Sequence, residues 1–371
     1  MRQRAVWLFL VLGLLCASAR AADLSVTFAS VGQGDAALIV SPTGKTVLVD
    51  GGPPEGSERL LQVLQKRKVS TIDLIILTHP HLDHLGGLAQ VLRTLPVRMF
   101  LDAGFPSTSP PYTALLQLLG ERGTVVKNAT IGRSIDLGDG ATLTLLGPPS
   151  PFLANTRSDV NANSVVARLL WRGRTALLTG DSEPEAERAL LNRNAAALEI
   201  LRAELLKVAH HGGRHSSTEP FLRAVSPQIA VISVGPGNDY GHPTAEAMGR
   251  ITALGATIYR TDQQGDITVL SHDGQPWQVT TAAAPAVFKA HHGSLPPTPA
   301  NPPPPVRTQS PPTPTPTLPS EAGFVASVNS KVFHRPSCPA VARIFAANRI
   351  TFASRAAALQ SGRQPSGDCK P

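Results

Sequence analysis

Cysteine is scarce in this chain of 371 residues: there are three. Cys16 lies near the N-terminus, and Cys338 and Cys369 lie near the C-terminus. The main body therefore has no disulfide framework. In an oxidising compartment the two distal cysteines either form a single disulfide or serve as metal ligands. Long apolar runs are equally few. Residues 5–15 form one, but it falls short of the about 20 residues that a membrane helix needs. It follows the basic Met1-Arg2-Gln3-Arg4 and precedes Ala19-Arg20-Ala21, the small-residue pattern of a cleavage site. Residues 1–21 read as an export signal cut after Ala21. The expected location is periplasmic or secreted, with no stable membrane span in the mature chain.

Charged residues make up only 16% of the chain against 42% hydrophobic, which suits a globular core. The net charge of +8 is unevenly spread. Residues 22–283 hold 22 basic and 24 acidic residues, whereas residues 322–371 hold seven basic residues and only Asp368 as an acid. The positive excess belongs to the tail and points to an anionic partner for it: nucleic acid, anionic lipid or wall polymer. Acidic residues are absent from residues 294–320, which contain 12 of the 34 prolines. That composition buries no core and favours extended polyproline II, able to separate its flanks by up to about 80 Å. The expected order is a signal (1–21), a main domain (22–283), a proline-rich linker (284–321) and a small basic module (322–371).

Within the main domain, residues 24–28 alternate apolar and polar as a half-buried strand does. Residues 36–40 and 46–49 read as two more strands around a Pro42-Thr43-Gly44 turn. A helix fits residues 58–66, and the apolar run 73–77 reads as a buried strand. A helix is expected from about Leu85 and another over 183–194. Strands are expected at 142–146, 164–171, 174–179 and 204–209. Strands interspersed with helices imply a layered α/β architecture.

The buried strand at 73–77 ends on Thr78-His79-Pro80-His81-Leu82-Asp83-His84. Imidazole and carboxylate donors suit zinc, manganese or iron, and so many in one short loop can face two adjacent ions. Two later strands end on further donors: Gly180-Asp181, where a carboxylate could bridge two ions, and His210-His211-Gly212. Either histidine of that pair could be a ligand. His210 is the preferred one, with His211 as its support or facing substrate. Asp35, in Gly32-Gln33-Gly34-Asp35, reads as support for the site. Asp50 reads either as an acid orienting a ligand histidine or as an ordinary turn residue.

In combination and order these motifs resemble the metallo-β-lactamase superfamily, and within it the soluble hydrolase domain of competence-type DNA-uptake proteins. Val31-Gly32-Gln33-Gly34-Asp35, Leu48-Val49-Asp50-Gly51-Gly52, the histidine motif, Asn163-Ser164, Gly180-Asp181, His210-His211-Gly212 and Gly241-His242-Pro243 carry the resemblance, over about residues 24–272. It implies a four-layer αβ/βα sandwich with a dinuclear site at one sheet edge. By position, His79 and His81 would hold one ion, Asp83, His84 and His210 the other, and Asp181 would bridge them. Zinc is the expected metal. The superfamily usually supplies another histidine before the bridging aspartate, but no histidine lies between His84 and Asp181 here. Asn161 or Asn163 would stand in, and their oxygen donors make manganese a second expectation.

Such a site acidifies a shared water and polarises the scissile group. Asp83 and His242 read as catalytic, His242 as a proton donor to a phosphate oxygen or leaving group. The expected activity is phosphodiester hydrolysis, with DNA favoured by the resemblance and by the tail's charge. Lys207 and Arg214 would make the cleft locally basic. Two other readings stand: a metallohydrolase of a small ester, lactone or phosphorylcholine group, and a non-catalytic protein that binds DNA or the cell envelope. The C-terminal module is similar to the Ada-type metal-binding domain, which implies a zinc site. Ser366 occupies one cysteine position of that pattern, leaving His334, Cys338 and Cys369, so a Cys338–Cys369 disulfide competes with zinc. Nucleic-acid docking is the expected use of its charge.

Overall fold

The computed structural model describes residues 23–282 and, nearer the C-terminus, 323–327, 330, 332–338, 341, 344 and 349–366. The expected export signal and linker lie outside the described residues. Two compact units are present, within Met1–Gly293 and within Ser294–Pro371.

The first unit's strands are, in chain order, β1 (Asp23–Phe28), β2 (Ala37–Val40), β3 (Thr46–Val49), β4 (Ile72–Leu77) and β5 (Val97–Asp102). Then come β6 (Val125–Asn128), β7 (Ser134–Gly138), β8 (Ala141–Leu145), β9 (Ala167–Trp171) and β10 (Arg174–Leu178). The last are β11 (Leu205–Lys207), β12 (Ile229–Ile232), β13 (Thr257–Arg260), β14 (Ile267–His272) and β15 (Gln278–Thr281). They form two sheets, in the orders β15-β14-β1-β2-β3-β4-β5-β6 and β13-β12-β11-β10-β9-β8-β7. Each sheet has a parallel part, β3 to β6 in the first and β10 to β13 in the second. Open sheets with parallel strands place functional loops at the carboxyl ends of those strands.

Three apolar layers hold the unit together. The inner faces of the sheets share one core, where Leu24, Val26, Ile39 and Ile76 meet Leu143, Leu169, Trp171 and Leu178. The outer face of the first sheet packs under helices Ser57–Lys66, Leu88–Thr94 and Pro110–Glu121, through Leu60, Leu64, Val91 and Leu115. The outer face of the second sheet packs under Pro184–Arg193, Glu219–Val225 and Ala245–Ala253, through Leu190, Phe221 and Ile251. The result is the expected four-layer αβ/βα sandwich. It also accounts for the unbroken apolar run of β4: Leu74 and Ile76 face the shared core, while Ile75 and Leu77 face the helices.

β1 departs from the half-buried expectation. It lies between β14 and β2, and its polar side is buried too. Thr27 Oγ1 lies 3.1 Å from Thr268 Oγ1, and Ser25 accepts from Arg67 Nη2 at 2.8 Å. The helix expected from Leu85 is broken into Leu82–Leu85 and Leu88–Thr94 at Gly86-Gly87, where backbone from other loops passes too close for a side chain. The strand expected over 204–209 stops at Lys207 and turns sharply at the paired histidines.

In the second unit, β16 (Phe324–Ser327), β17 (Val332–His334), β18 (Arg349–Phe352) and β19 (Gln364–Pro365) form a sheet in the order β18-β16-β17-β19. Ala326, Phe333 and Ala358 make a very small core. Cys338 is buried and disulfide-bonded, with its sulfur 3.6 Å from His334 Nδ1. A disulfide sulfur is not a thiolate, so the expected zinc site at His334, Cys338 and Cys369 loses the donor it most needs. Cys369 lies outside the described residues.

Leu143 is fully buried between the sheets. Leu143→Ala is expected to lower the unfolding free energy by about 2–5 kcal/mol, measured as a reduced urea midpoint.

Candidate metal centre

Four loops meet at the carboxyl edge of the two parallel regions: residues 78–84 after β4, 179–183 after β10, 208–213 after β11 and 233–243 after β12. The sheets touch here. Val165 donates its N–H to the carbonyl of Thr78 at 2.8 Å, and a Cβ on Gly180 would lie 2.8 Å from that of Thr78. Gly180 has φ +52 and leaves the room that brings Asp181 across to the first sheet's histidines.

Asp50 ends β3 with φ +60 and is almost fully buried. Its carboxylate accepts from the N–H of Thr78 (2.7 Å), from Thr78 Oγ1 (2.8 Å) and from His84 Nδ1 (2.9 Å). Because the Thr78 hydroxyl is committed to Asp50, it accepts from His79 Nδ1 at 3.1 Å. Both histidines are thus held by Nδ1, and His84 Nε2 is left bare, the presentation of a metal-ligating imidazole. His81 stands just before the short helix Leu82–Leu85 without a side-chain capping bond, and its Nδ1 lies 3.0 Å from His79 Nε2. Backbone bonds brace the loop from behind: Asp35 N–H to the carbonyl of Asp83 (3.1 Å), and Gly51 N–H to that of His84 (2.6 Å). A Cβ on Gly34 would sit 2.2 Å from the Asp83 carbonyl oxygen.

Asp181 is the hub. Oδ1 lies 3.4 Å from His84 Nε2, while Oδ2 lies 3.5, 3.8 and 3.9 Å from the Nε2 atoms of His211, His210 and His79. Asp83 Oδ2 is 3.3 Å from His211 Nε2. Among the described residues, Asp83, His84, Asp181 and His211 bring one donor atom each within 4.8 Å of one another. His84 Nε2, His211 Nε2 and Asp181 Oδ1 are buried without a hydrogen-bond partner. Buried polar atoms are normally satisfied, and bare donors aimed at one point fit a divalent cation.

The electrostatics agree. Burial works to raise the carboxyl of Asp181, but His211, His84 and His210 outweigh it and hold it well below the usual range. Burial works to lower His84 and His211, yet Asp181, together with Asp50 beside His84 and Asp35 beside His211, holds both well above the ordinary histidine value. His79 goes the other way, pushed well down by burial and then by His84 and His81. Ionised acids around bare imidazoles attract positive charge of any kind, and a divalent ion answers that field best.

Several expectations need correction. The pair after β11 presents His211, not His210, to Asp83 and His84. His211 Nδ1 donates to the carbonyl of Ser233 at 2.9 Å, which fixes Nε2 toward the acids. Asn163 is not available as a donor: its amide accepts from Leu153 N–H and donates to the carbonyls of Leu153 and Asp159. Asn161 stays near the site, with Nδ2 3.4 Å from Glu183 and Oδ1 buried and unpartnered. Lys207 does not line a basic cleft. It is buried behind the ligands in an ion pair with Asp35, and it donates to the Gly180 carbonyl at 3.3 Å. Arg214 is paired with Glu246 at 3.0 Å. His242 faces the centre, its ring 5.6 Å from that of His210, on a loop pinned by Asn238. Burial, with His211 and His210 alongside, pushes it down to about 4. It therefore carries a neutral ring near pH 7 and brings an N–H rather than a net charge.

The sequence reading missed three residues that position the site. Glu183, beside Asp181, lies 3.6 Å from His210 Nδ1. Glu187 accepts from the N–H groups of Ser217 and Thr218, and Arg250 donates to the carbonyls of Arg214, Ser216 and Ser217. Together the last two clamp the segment that follows the histidine pair. Helical spacing alone makes both look like solvent-facing charges, and the role shows only in the burial of Glu187 and the hydrogen bonds of Arg250.

Residues 29–108 match the metallo-β-lactamase superfamily. Together with the sandwich, this match shows a metallo-β-lactamase-type fold with the donor cluster at its edge. The chain is similar, among other proteins, to a competence protein. It is 28% identical to ComE operon protein 3 of Bacillus subtilis over 65% of this chain and 32% of that one. It is likewise 28% identical to competence protein ComA of Neisseria gonorrhoeae over 66% of this chain and 32% of that one. The chain thus spans about a third of the length of these curated relatives. Among solved structures, the metallo-β-lactamase fold protein YhfI of Bacillus subtilis superposes with a TM-score of 0.47 at 13% identity, covering 67% of this chain and all of that one. No helix among the described residues is long and apolar enough to cross a membrane.

Replacing Glu187 by Ala strips the acceptor from one buried and one part-buried N–H group. The expected cost is about 2–4 kcal/mol, read as a lower urea midpoint with an unchanged slope.

Proposed function

We propose that the main domain is an exported, metal-dependent phosphodiesterase acting on DNA. The observation that carries this reading is the convergence of buried, unpartnered His84 Nε2, His211 Nε2 and Asp181 Oδ1 on one point at the sheet edge. In this reading Asp83, His84, His211 and Asp181 hold one divalent ion, and His79, His81 and Asp181 contribute to a second. Zinc suits the imidazole-rich set, and manganese is the second choice. When bound, such ions supply Lewis acidity and acidify water. The protein's own part is to present the donors. Asp50 locks His84, and through Thr78 it locks His79. Asp181 spans both groups of imidazoles. His242 offers its N–H on the open side, where the exposed ring of Tyr240 stacks beside it at 5.9 Å. A flat ring at the rim suits a substrate with a planar base.

DNA is favoured over other phosphodiesters by two supports. One relative is named a competence protein, and another, from Haemophilus influenzae, is named Recombination protein 2. The module at 322–371 carries seven basic residues against Asp368 alone and is proposed to dock the polyanion. Lys207 and Arg214 are committed to acids, so neither is proposed as a phosphate contact. Export rests on residues 1–21.

The test is hydrolysis of linear DNA and of bis-p-nitrophenyl phosphate by the full chain. Activity is expected to vanish with EDTA, return with zinc or manganese, and fall to the assay background in Asp181→Ala and His81→Ala. Undiminished turnover in either variant would overturn the assignment of the site. Turnover of lactones or phosphorylcholine esters, with none of DNA, would keep the hydrolase and overturn the substrate.

A further inference from the structure

We infer that the adjacent histidines serve different ions, and that His210 supplies the imidazole the His79–His81 group otherwise lacks, oriented by Glu183. The inference rests on the two-ion reading above and goes beyond it by giving His210 and Glu183 roles.

The chain has no histidine between His84 and Asp181, so His79 and His81 have no third imidazole from the usual place. Asn163 is held to its own loop, its Oδ1 accepting from Leu153 N–H and its Nδ2 donating to the carbonyls of Leu153 and Asp159. The turn after β11 brings another imidazole to the spot. His210 and His211 both have φ +53, with ψ of 43° and 24°. Two successive left-handed residues without glycine are unusual, and such backbone persists where its surroundings hold it. The consequence is that the side chains diverge: the two rings stand 6.2 Å apart at 68°.

The two rings share Asp181 Oδ2, at 3.8 and 3.5 Å, and differ in their other neighbours. His211 turns inward, anchored by the Ser233 carbonyl, with Nε2 on Asp83 and Asp181. His210 stays at the open side, its side chain 29% exposed. Its Nε2 lies 3.8 Å from Asp181 Oδ2, and His79 Nε2 approaches the same oxygen at 3.9 Å. Donors about 2.0–2.1 Å from a tetrahedral ion stand roughly 3.4 Å apart, so these separations are ones that a cation would draw in slightly. On its other side, His210 Nδ1 lies 3.6 Å from Glu183 Oε1. Glu183 is itself almost fully buried, flanked by Asn161 Nδ2 at 3.4 Å and Arg157 Nε at 3.7 Å. A carboxylate behind Nδ1 with Nε2 facing an acid is a looser counterpart, at 3.6 Å against 2.9 Å, of the Asp50–His84 pair, in which an outer acid orients the imidazole. A histidine merely exposed to solvent has no need of a buried carboxylate behind it.

The test is zinc stoichiometry and affinity in the full-length protein, stripped with chelator and titrated with zinc alone. Bound metal is read by mass spectrometry and affinity by competition with a chromophoric chelator. Wild type is expected to hold two ions, and His79→Gln and His210→Gln one each. The double variant H79Q/H210Q is expected to keep one ion, because both changes act on the same site, while H79Q/H211Q keeps none. Glu183→Gln, which preserves shape if His210→Gln fails to fold, is expected to weaken one ion by about 10- to 100-fold and leave the other unchanged. Two ions at wild-type affinity in His210→Gln, or none in H79Q/H210Q, would overturn the inference. So would a Glu183→Gln variant with both affinities intact. Fewer than two ions in wild type would instead sink the two-ion reading on which it rests.

Discussion

Asp50 governs how the centre is presented. One buried carboxylate takes the Thr78 N–H, the Thr78 hydroxyl and His84 Nδ1, and through that hydroxyl it also dictates the face shown by His79. Its position at the end of β3, beside and parallel to β4, makes this possible. The sheet's hydrogen-bonding register therefore sets the tautomers of two imidazoles in the next loop. Burial raises the carboxyl of Asp50, and His84 works against that rise. The acid and the imidazole hold each other in place away from water.

The second sheet reaches the same point through Gly180 against Thr78, which lets a carboxylate from one layer lie among histidines from the other. The hydrophobic layers supply the rigidity this contact needs. The shared core runs up to Val49, Ile76 and Leu178, one or two residues short of the polar edge. Polar loops thus rest on packed strands as well as on one another.

Much of this was legible in the sequence because it depends on chain order and local chemistry. The run 73–77 followed by His79, His81, Asp83 and His84 announces a buried strand with donors at its end, and Leu177-Leu178 before Gly180-Asp181 repeats the pattern. The layered fold follows from the alternation of such runs with amphipathic helices. What stayed hidden depends on backbone angles and on partners distant in the chain. The choice between His210 and His211 turns on two left-handed residues that no periodicity reveals. Lys207 reads as a surface cation, yet it follows Leu205-Leu206 into the interior because Asp35, from a far earlier loop, meets it there. Asn163 carries the right atoms for a ligand but spends them on its own loop. Ser25 and Thr27 look solvent-facing because alternation describes one face of a strand, not what later covers the other.

The bracing of the 78–84 loop has a consequence for how such a site diversifies. Its course is held by main-chain bonds, from Asp35 and Gly51 to the carbonyls of Asp83 and His84, and from Gly87 to that of Gly52. None of these bonds involves a metal-facing side chain. The path of the loop and the donors it displays are therefore encoded separately. Substitutions can exchange one donor for another, and with it the preferred ion, while the backbone scaffold is inherited unchanged.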